Sequence, residues 1–347
     1  MKKIKISFIG VGFMSQIAHL INFYNNKYVE LYDVADFDLK LAKKIKKFFL
    51  FSGIATEDYK KILKRNPDGI VIIVQRPLTN NIVKNILKQK INVLSEKPPS
   101  FSKIELSNCL KIQKNNKLLW YKGFNRRHDY AVNKLKNNFH KYSSNLGNLR
   151  YVQYKTTAGN TYRGKKHFIL PSINNKKMHG VKNKFPSWLP KRYNDLFHKH
   201  WNSSCHYLDL FEYYEFKSFT NIKTLINENL YIVYFNSNFK KNKVLCNLTT
   251  INSKNNDWEE EITFYFERGK ISINFNSPLS CGKSANLIIE DHFKNKFINL
   301  NKVNSWSFNN QSNDFVKDIQ KRIVQKLEGL TSIDIYEKSW KVYLNLK

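Results

Sequence analysis

Along the first 120 residues, short runs of consecutive apolar residues alternate with stretches whose apolar positions recur every three or four residues. Ile4, Ile6, Phe8 and Ile9 mark a buried strand; after Gly10 and Gly12, the positions Ile17, Leu20 and Ile21 fall on one helical face. The alternation continues with strands predicted at 28–35, 53–55, 69–74, 92–94 and 118–121, and helices at 39–49, 58–65, 80–89 and 102–115. The run Gly69-Ile-Val-Ile-Ile-Val74 is apolar throughout, as in a strand covered on both faces. Strands alternating with helices predict a doubly wound parallel sheet, with ligand bound at the carboxyl ends of its strands.

The pattern then changes. Runs rich in β-branched and aromatic residues recur at 150–156, 229–235, 244–250, 260–266, 270–275 and 286–289, separated by Asn, Lys, Ser and Gly, which predicts an antiparallel sheet. Between the first two lies a long polar stretch, 159–199, with Pro171, Pro186, Trp188 and Pro190, read as a functional loop holding short elements of its own. The fold class expected is therefore α/β in two parts: a nucleotide-binding half over 1–122 and an α+β half with a large, mostly antiparallel sheet over 123–347.

Composition narrows the function. No apolar run reaches the ~18 residues of a membrane helix, and polar residues interrupt the apolar stretch after Met1-Lys2-Lys3, so a cytoplasmic protein without membrane partners is expected. Cys109, Cys205, Cys246 and Cys281 are widely spaced and read as reduced thiols. The formal net charge of +32 raises nucleic acid as a partner. Only nine of the 59 basic residues are arginine and the lysines are dispersed, which reads as a solvated surface rather than a specific nucleic-acid face.

The strand, glycine turn and helix at the amino end suit a pyrophosphate. Gly10 allows the tight turn, Gly12 lets the backbone approach, and the helix amino terminus faces the charge; Ser15 stands where a third glycine is usual. Asp36 ends the second strand 21 residues beyond Ser15, where an acid can accept the ribose hydroxyls; Asp38 is the better cap for the next helix. Phe37 follows with no residue for a 2′-phosphate, which leans to NAD, while Lys40 leaves NADP open. Glu96-Lys97-Pro98 falls at the sheet edge where the nicotinamide should lie.

Together, the glycine turn, Asp36, Glu96-Lys97-Pro98 and Gly123-Phe124-Asn125-Arg126-Arg127 resemble the Gfo/Idh/MocA family of glucose–fructose oxidoreductase and inositol dehydrogenase. The resemblance continues through Leu146-Gly147-Asn148-Leu149-Arg150-Tyr151-Val152, His206-Tyr207-Leu208-Asp209 and the Ser339 helix. It implies an N-terminal Rossmann domain and a C-terminal domain for substrate binding and oligomerisation. The implied activity is NAD(P)-dependent hydride transfer to or from a secondary alcohol or ketone of a sugar, cyclitol or nucleotide-sugar. Implied cofactor contacts are Gly10, Gly12, Phe13, Met14, Asp36, Gln75, Pro77, Glu96 and Lys97; implied substrate contacts are Asn125, Arg126, Asn202 and His206. A homodimer or homotetramer is implied through the open sheet face.

Within that frame His206 is the candidate proton acceptor and Lys97 the group that stabilises the reacting oxygen, with a share in the proton relay. Two positions depart from the family: Asn202 stands where the inositol dehydrogenase branch has an Asp one turn before the histidine, and Asn81 replaces a histidine. The plainer reading of His206 is a core histidine satisfied by Asp209. His198, His200, Cys205, His206 and Asp209 crowd together, but their spacing fits no common zinc pattern and no metal is expected. A dinucleotide-fold binding or regulatory protein, or a basic nucleic-acid binder, stays as the alternative class.

Overall fold

A computed structural model describes residues 2–158, 170, 182–240, 242–252, 258–324 and 328–346. Most of the stretch 159–181 therefore lies outside the described residues, including much of the expected loop. Contacts divide the chain into two compact units. The first comprises Met1–Phe124, Gly164–Leu189 and Phe308–Leu330; the second comprises Asn125–Arg163, Pro190–Ser307 and Thr331–Lys347. Residues 308–330, counted above with the second domain, thus contact the first.

The first unit is built on β1 (Ile4–Ile9), β2 (Val29–Ala35), β3 (Ala55–Thr56), β4 (Gly69–Ile72), β5 (Asn92–Ser95) and β6 (Trp120–Lys122). They pair in parallel in the order β3-β2-β1-β4-β5-β6. The strand order reverses between β1 and β4, which opens the crevice that binds ligands in such sheets. A π-helical turn, Ser15–Leu20, continues into α1 (Ile21–Tyr24); α2 (Leu39–Phe48), α3 (Tyr59–Lys64), α4 (Arg76–Lys88) and α5 (Lys103–Asn115) form the crossovers. Asp38 caps α2 by accepting from the N–H groups of Lys40 and Leu41, each at 3.1 Å. One core layer gathers Phe8, Phe23 and Phe51 edge to face. Phe315 of αC, the helix Ser307–Gln320, completes that layer against Phe23 and Tyr121.

The second unit carries β7 (Leu149–Ala158), β8 (Lys217–Ile226), β9 (Leu230–Phe239), β10 (Asn242–Asn252), β11 (Glu259–Phe266), β12 (Gly269–Asn274), β13 (Asn286–Asp291) and β14 (Lys296–Leu300). Their order is β14-β13-β12-β11-β7-β10-β9-β8; β7 and β10 run parallel and every other pairing is antiparallel. β8 and β14 were not foreseen. Both are edge strands with mostly exposed side chains, so neither shows the apolar alternation that marks a strand. On the covered face, Phe235 packs against Phe211 of a long helix, αB (Asn194–Tyr213), and Phe264 against Tyr214, the residue that ends it. The first six residues of αB, 194–199, fall inside the stretch read as loop.

Candidate active site

In the first unit the expected cofactor residues converge on the carboxyl ends of four neighbouring strands. Gly10 follows β1, Asp36 follows β2, Gln75 lies beyond β4, and Glu96-Lys97 follows β5. Gly10 has φ +83°, and a Cβ there would lie 2.2 Å from the Ile73 carbonyl oxygen, so only glycine fits. Gly12 differs: a Cβ there would meet nothing within 4 Å. The space beside this turn is what a bound pyrophosphate requires. Phe13 and Met14 complete the turn, and no side chain caps the amino end of the π-helical turn after Met14.

Asp36 is buried. Its Oδ2 accepts from the Val11 N–H at 2.8 Å and its Oδ1 from the Asp38 N–H at 2.9 Å. Burial raises its carboxyl above the ordinary value, against the lowering effect of those two bonds. A carboxylate has about four acceptor positions, so two ribose hydroxyls can still be received. The residues present therefore fit a dinucleotide. Gln75 precedes α4, with Pro77 in that helix's first turn. Pro77 and Asn81, with Arg76, Lys84 and Lys184, border a small cleft beside Pro98.

The helical face expected after the turn is corrected. Ile17 is half-buried and Ile21 exposed, whereas Gln16, Ala18 and His19 are buried. A π-helical turn carries i→i+5 bonds and so breaks the 3.6-residue period on which that face was read. The inward polar groups have partners. Gln16 donates to the Val11 carbonyl at 2.9 Å and exchanges bonds with the backbone of Leu170 at 2.8 and 3.1 Å. His19 Nε2 lies 2.7 Å from Glu96 Oε1. The other Glu96 oxygen accepts from the Lys97 N–H at 3.1 Å. Burial would raise the Glu96 carboxyl, but its bond to His19, the charges of His19 and Lys97 and the Lys97 N–H together hold it below the ordinary value. His19 was missed in the sequence because a lone histidine in an apolar stretch carries no partner signal of its own.

In the second unit Asn202 and His206 sit one turn apart on αB, both half-buried. Asp209 is fully buried and takes both its oxygens to Arg127, with Nε–Oδ2 2.5 Å and Nη2–Oδ1 2.6 Å. Two residues expected to meet substrate have partners within the unit. Arg126 is buried and bound to both oxygens of Glu260 and to the Asn276 carbonyl, which leaves its guanidinium engaged within the unit. Asn125 is 1% exposed and donates to Ser307 Oγ at 3.0 Å. His200 Nε2 lies 2.7 Å from the Asn227 carbonyl oxygen, and burial lowers its basicity. Among the described residues no group of three or more His, Cys, Asp or Glu could hold a metal ion.

Residues 4–124, about a third of the chain, match the model of a family described as an oxidoreductase family with an NAD-binding Rossmann fold, Gfo/Idh/MocA. Among curated proteins none matches the chain. Among solved structures, a dehydrogenase from Chromobacterium violaceum superimposes with TM-score 0.73 at 13% identity, over 100% of this chain and 96% of that one. The dehydrogenase MviM from Clostridium difficile gives TM-score 0.70 at 15% identity, over 99% and 100%. KijD10, a 3-ketoreductase from Actinomadura kijaniata solved with NADP and TDP-benzene, gives 0.70 at 13% identity, over 100% and 98%. At these identities the structural likeness speaks for the fold. The glycine turn and the Glu96-Lys97-Pro98 edge both lie within residues 4–124, the portion that matches the NAD-binding Rossmann fold of that oxidoreductase family.

Proposed function

We propose that the protein transfers a hydride between NAD(P) and a secondary alcohol or ketone of a sugar, cyclitol or nucleotide-linked sugar. The observation that carries this reading is the convergence of the Gly10–Gly12 turn, Asp36, Gln75 and Glu96-Lys97 on adjacent carboxyl ends of one parallel sheet. When bound, the nicotinamide supplies or accepts the hydride. Lys97 would then donate a hydrogen bond to the substrate oxygen, whose negative charge grows as the alcohol proton leaves or, in reduction, as the carbonyl carbon receives the hydride. His206 is assigned the proton of the alcohol, with Asn202 able to orient its ring without adding charge.

Asp36 favours NAD, because a 2′-phosphate would bring negative charge to a buried carboxylate. Arg76 and Lys84 at the cleft beside Pro98, where Lys184 pairs with Glu105, support an anionic substrate such as a nucleotide-linked sugar. On the second unit, Tyr234, Leu245, Tyr151 and Tyr265 lie on one outward sheet face, and the last two stack at 5.6 Å. That face supports a homodimer or homotetramer, which light scattering reads directly. No helix among the described residues is long and apolar enough to cross a membrane, and Cys109, Cys205, Cys246 and Cys281 are all free thiols. A reducing compartment that holds NAD(P)H, the cytoplasm, fits both.

The test is titration with NADH and NADPH followed by turnover on a panel of sugars, cyclitols and nucleotide-linked sugars. Binding of NADH with turnover on one of these classes is expected. Failure of the whole chain to bind either dinucleotide, or sequence-selective nanomolar binding of duplex DNA at physiological salt, would overturn the reading.

A further inference from the structure

Glu96 stands between two other groups of the first unit, and each of its carboxylate oxygens meets one of them. One oxygen is 2.7 Å from His19 Nε2 and the other accepts the backbone N–H of Lys97 at 3.1 Å. A carboxylate can only accept, so Nε2 of His19 carries the proton. The His19 ring is 2% exposed, and it stands edge-on to Phe308 with ring centroids 5.2 Å apart. The Glu96 backbone is tied as well, its N–H donating to the Ile72 carbonyl at 3.1 Å. On the far side, a Cβ at Gly123 would meet the Lys97 nitrogen at 2.9 Å and the Glu96 Cα at 3.0 Å, so the chain there is closely confined. The π-helical turn that follows the glycines places His19 inward, and such turns occur often at functional sites.

We propose that His19 is a positioning residue for Lys97. It fixes the Glu96 carboxylate, and Glu96 in turn fixes both the main chain of Lys97 and the negative charge beside its amine. The proposal rests on the reading that Lys97 serves hydride transfer. It adds a physical link between the dinucleotide turn and the reacting lysine: both ends of the link lie within one unit, and the π-helical turn that continues the glycine turn carries the histidine. The charged groups acting on Glu96 are His19 and Lys97. With His19 removed, Lys97 is the cation left to draw the ionised carboxylate. The carboxylate then turns its charge on the amine and favours the ammonium form.

The experiment needs no substrate. Lys97 is half-buried, and its amine can be acetylated competitively across a pH series and quantified by peptide mass spectrometry. The midpoint of that profile reports how strongly the ammonium is favoured. In His19→Phe the midpoint should rise by about half to one pH unit, and in Glu96→Gln it should fall by about one, as expected for moving or deleting one nearby charge. The double variant should match Glu96→Gln alone, because His19 acts only through Glu96. His19→Gln, which restores a donor, should return the midpoint toward wild type, and His19→Ala removes the donor if His19→Phe does not fold. An unchanged midpoint in the variant that removes the His19 donor, or a His19 effect that persists beside Glu96→Gln, overturns the proposal. Retention of hydride transfer by Lys97→Ala would instead defeat the assigned role of Lys97 while leaving the labelling result intact.

Discussion

The two glycines of the turn make opposite predictions, and the structure sets the size of each. In Gly10→Ala the new methyl would lie 2.2 Å from the Ile73 carbonyl oxygen and 2.8 Å from its carbon, both backbone atoms of the strand end beside it. The residue would also occupy φ +83°, where an L side chain costs about 1–2 kcal/mol. Overpacking adds about 1–3 kcal/mol, for a loss of roughly 2–5 kcal/mol in the first unit. Against a domain stability of ~5–15 kcal/mol this is a large fraction. Gly12→Ala has no such neighbour and no positive φ, so its stability should stay within ~0.5 kcal/mol of wild type. Its methyl instead enters the space assigned to the pyrophosphate. Denaturant unfolding and NADH fluorescence titration on the same samples separate the two effects. Gly10→Ala should unfold at clearly lower denaturant. Gly12→Ala should unfold like wild type yet lose dinucleotide affinity, and Gly12→Val should abolish it. A Gly12→Ala protein that binds NADH and NADPH as wild type does would refute the placement of the cofactor at this turn.

Asp36→Ala should weaken NAD more than NADP, read by parallel titrations; equal losses would take the carboxylate out of cofactor selection. Breaking the buried Arg127–Asp209 pair with Asp209→Asn should cost about 3–5 kcal/mol, measured by thermal or denaturant unfolding, because it strands a buried guanidinium. The lowered Glu96 carboxyl carries its own pH signature. Its contribution to stability is complete above the ordinary carboxylate value of 4.5 and is lost as pH falls through the lower folded value. Acid unfolding of Glu96→Gln should therefore lack that component. Asn202→Asp, one turn from His206, should move the acidic limb of the pH–rate profile to higher pH, since a nearby negative charge favours the imidazolium.

Much of the first unit was legible because a parallel sheet writes its strands as apolar runs and its glycine turn as a spacing. Asp38 as cap and Asp36 beside the turn followed from position alone. The π-helical turn was not legible: its period differs from that of an α-helix, and the burial of Gln16 and His19 depends on Leu170 and Glu96, partners 154 and 77 residues away. Arg126 shows the same limit. An arginine after a sheet edge looks available to substrate until Glu260, 134 residues on, is seen to hold it. Edge strands β8 and β14 escaped because their exposed side chains give no burial pattern to read.

The helix αC has a consequence for how the protein is made. Phe315 and Val316 belong to the same core cluster as Phe8, Phe23 and Leu94, and Asp318 accepts from the Tyr121 hydroxyl at 2.7 Å. A ribosome delivers the strands of the nucleotide-binding sheet first but the helix that covers part of them only after residue 320. During synthesis the nascent sheet must therefore wait, with an apolar surface uncovered, while the whole second sheet emerges. A fragment ending at residue 124 would keep that surface exposed permanently, so it should aggregate or bind chaperones even though it holds the glycine turn, Asp36 and Lys97.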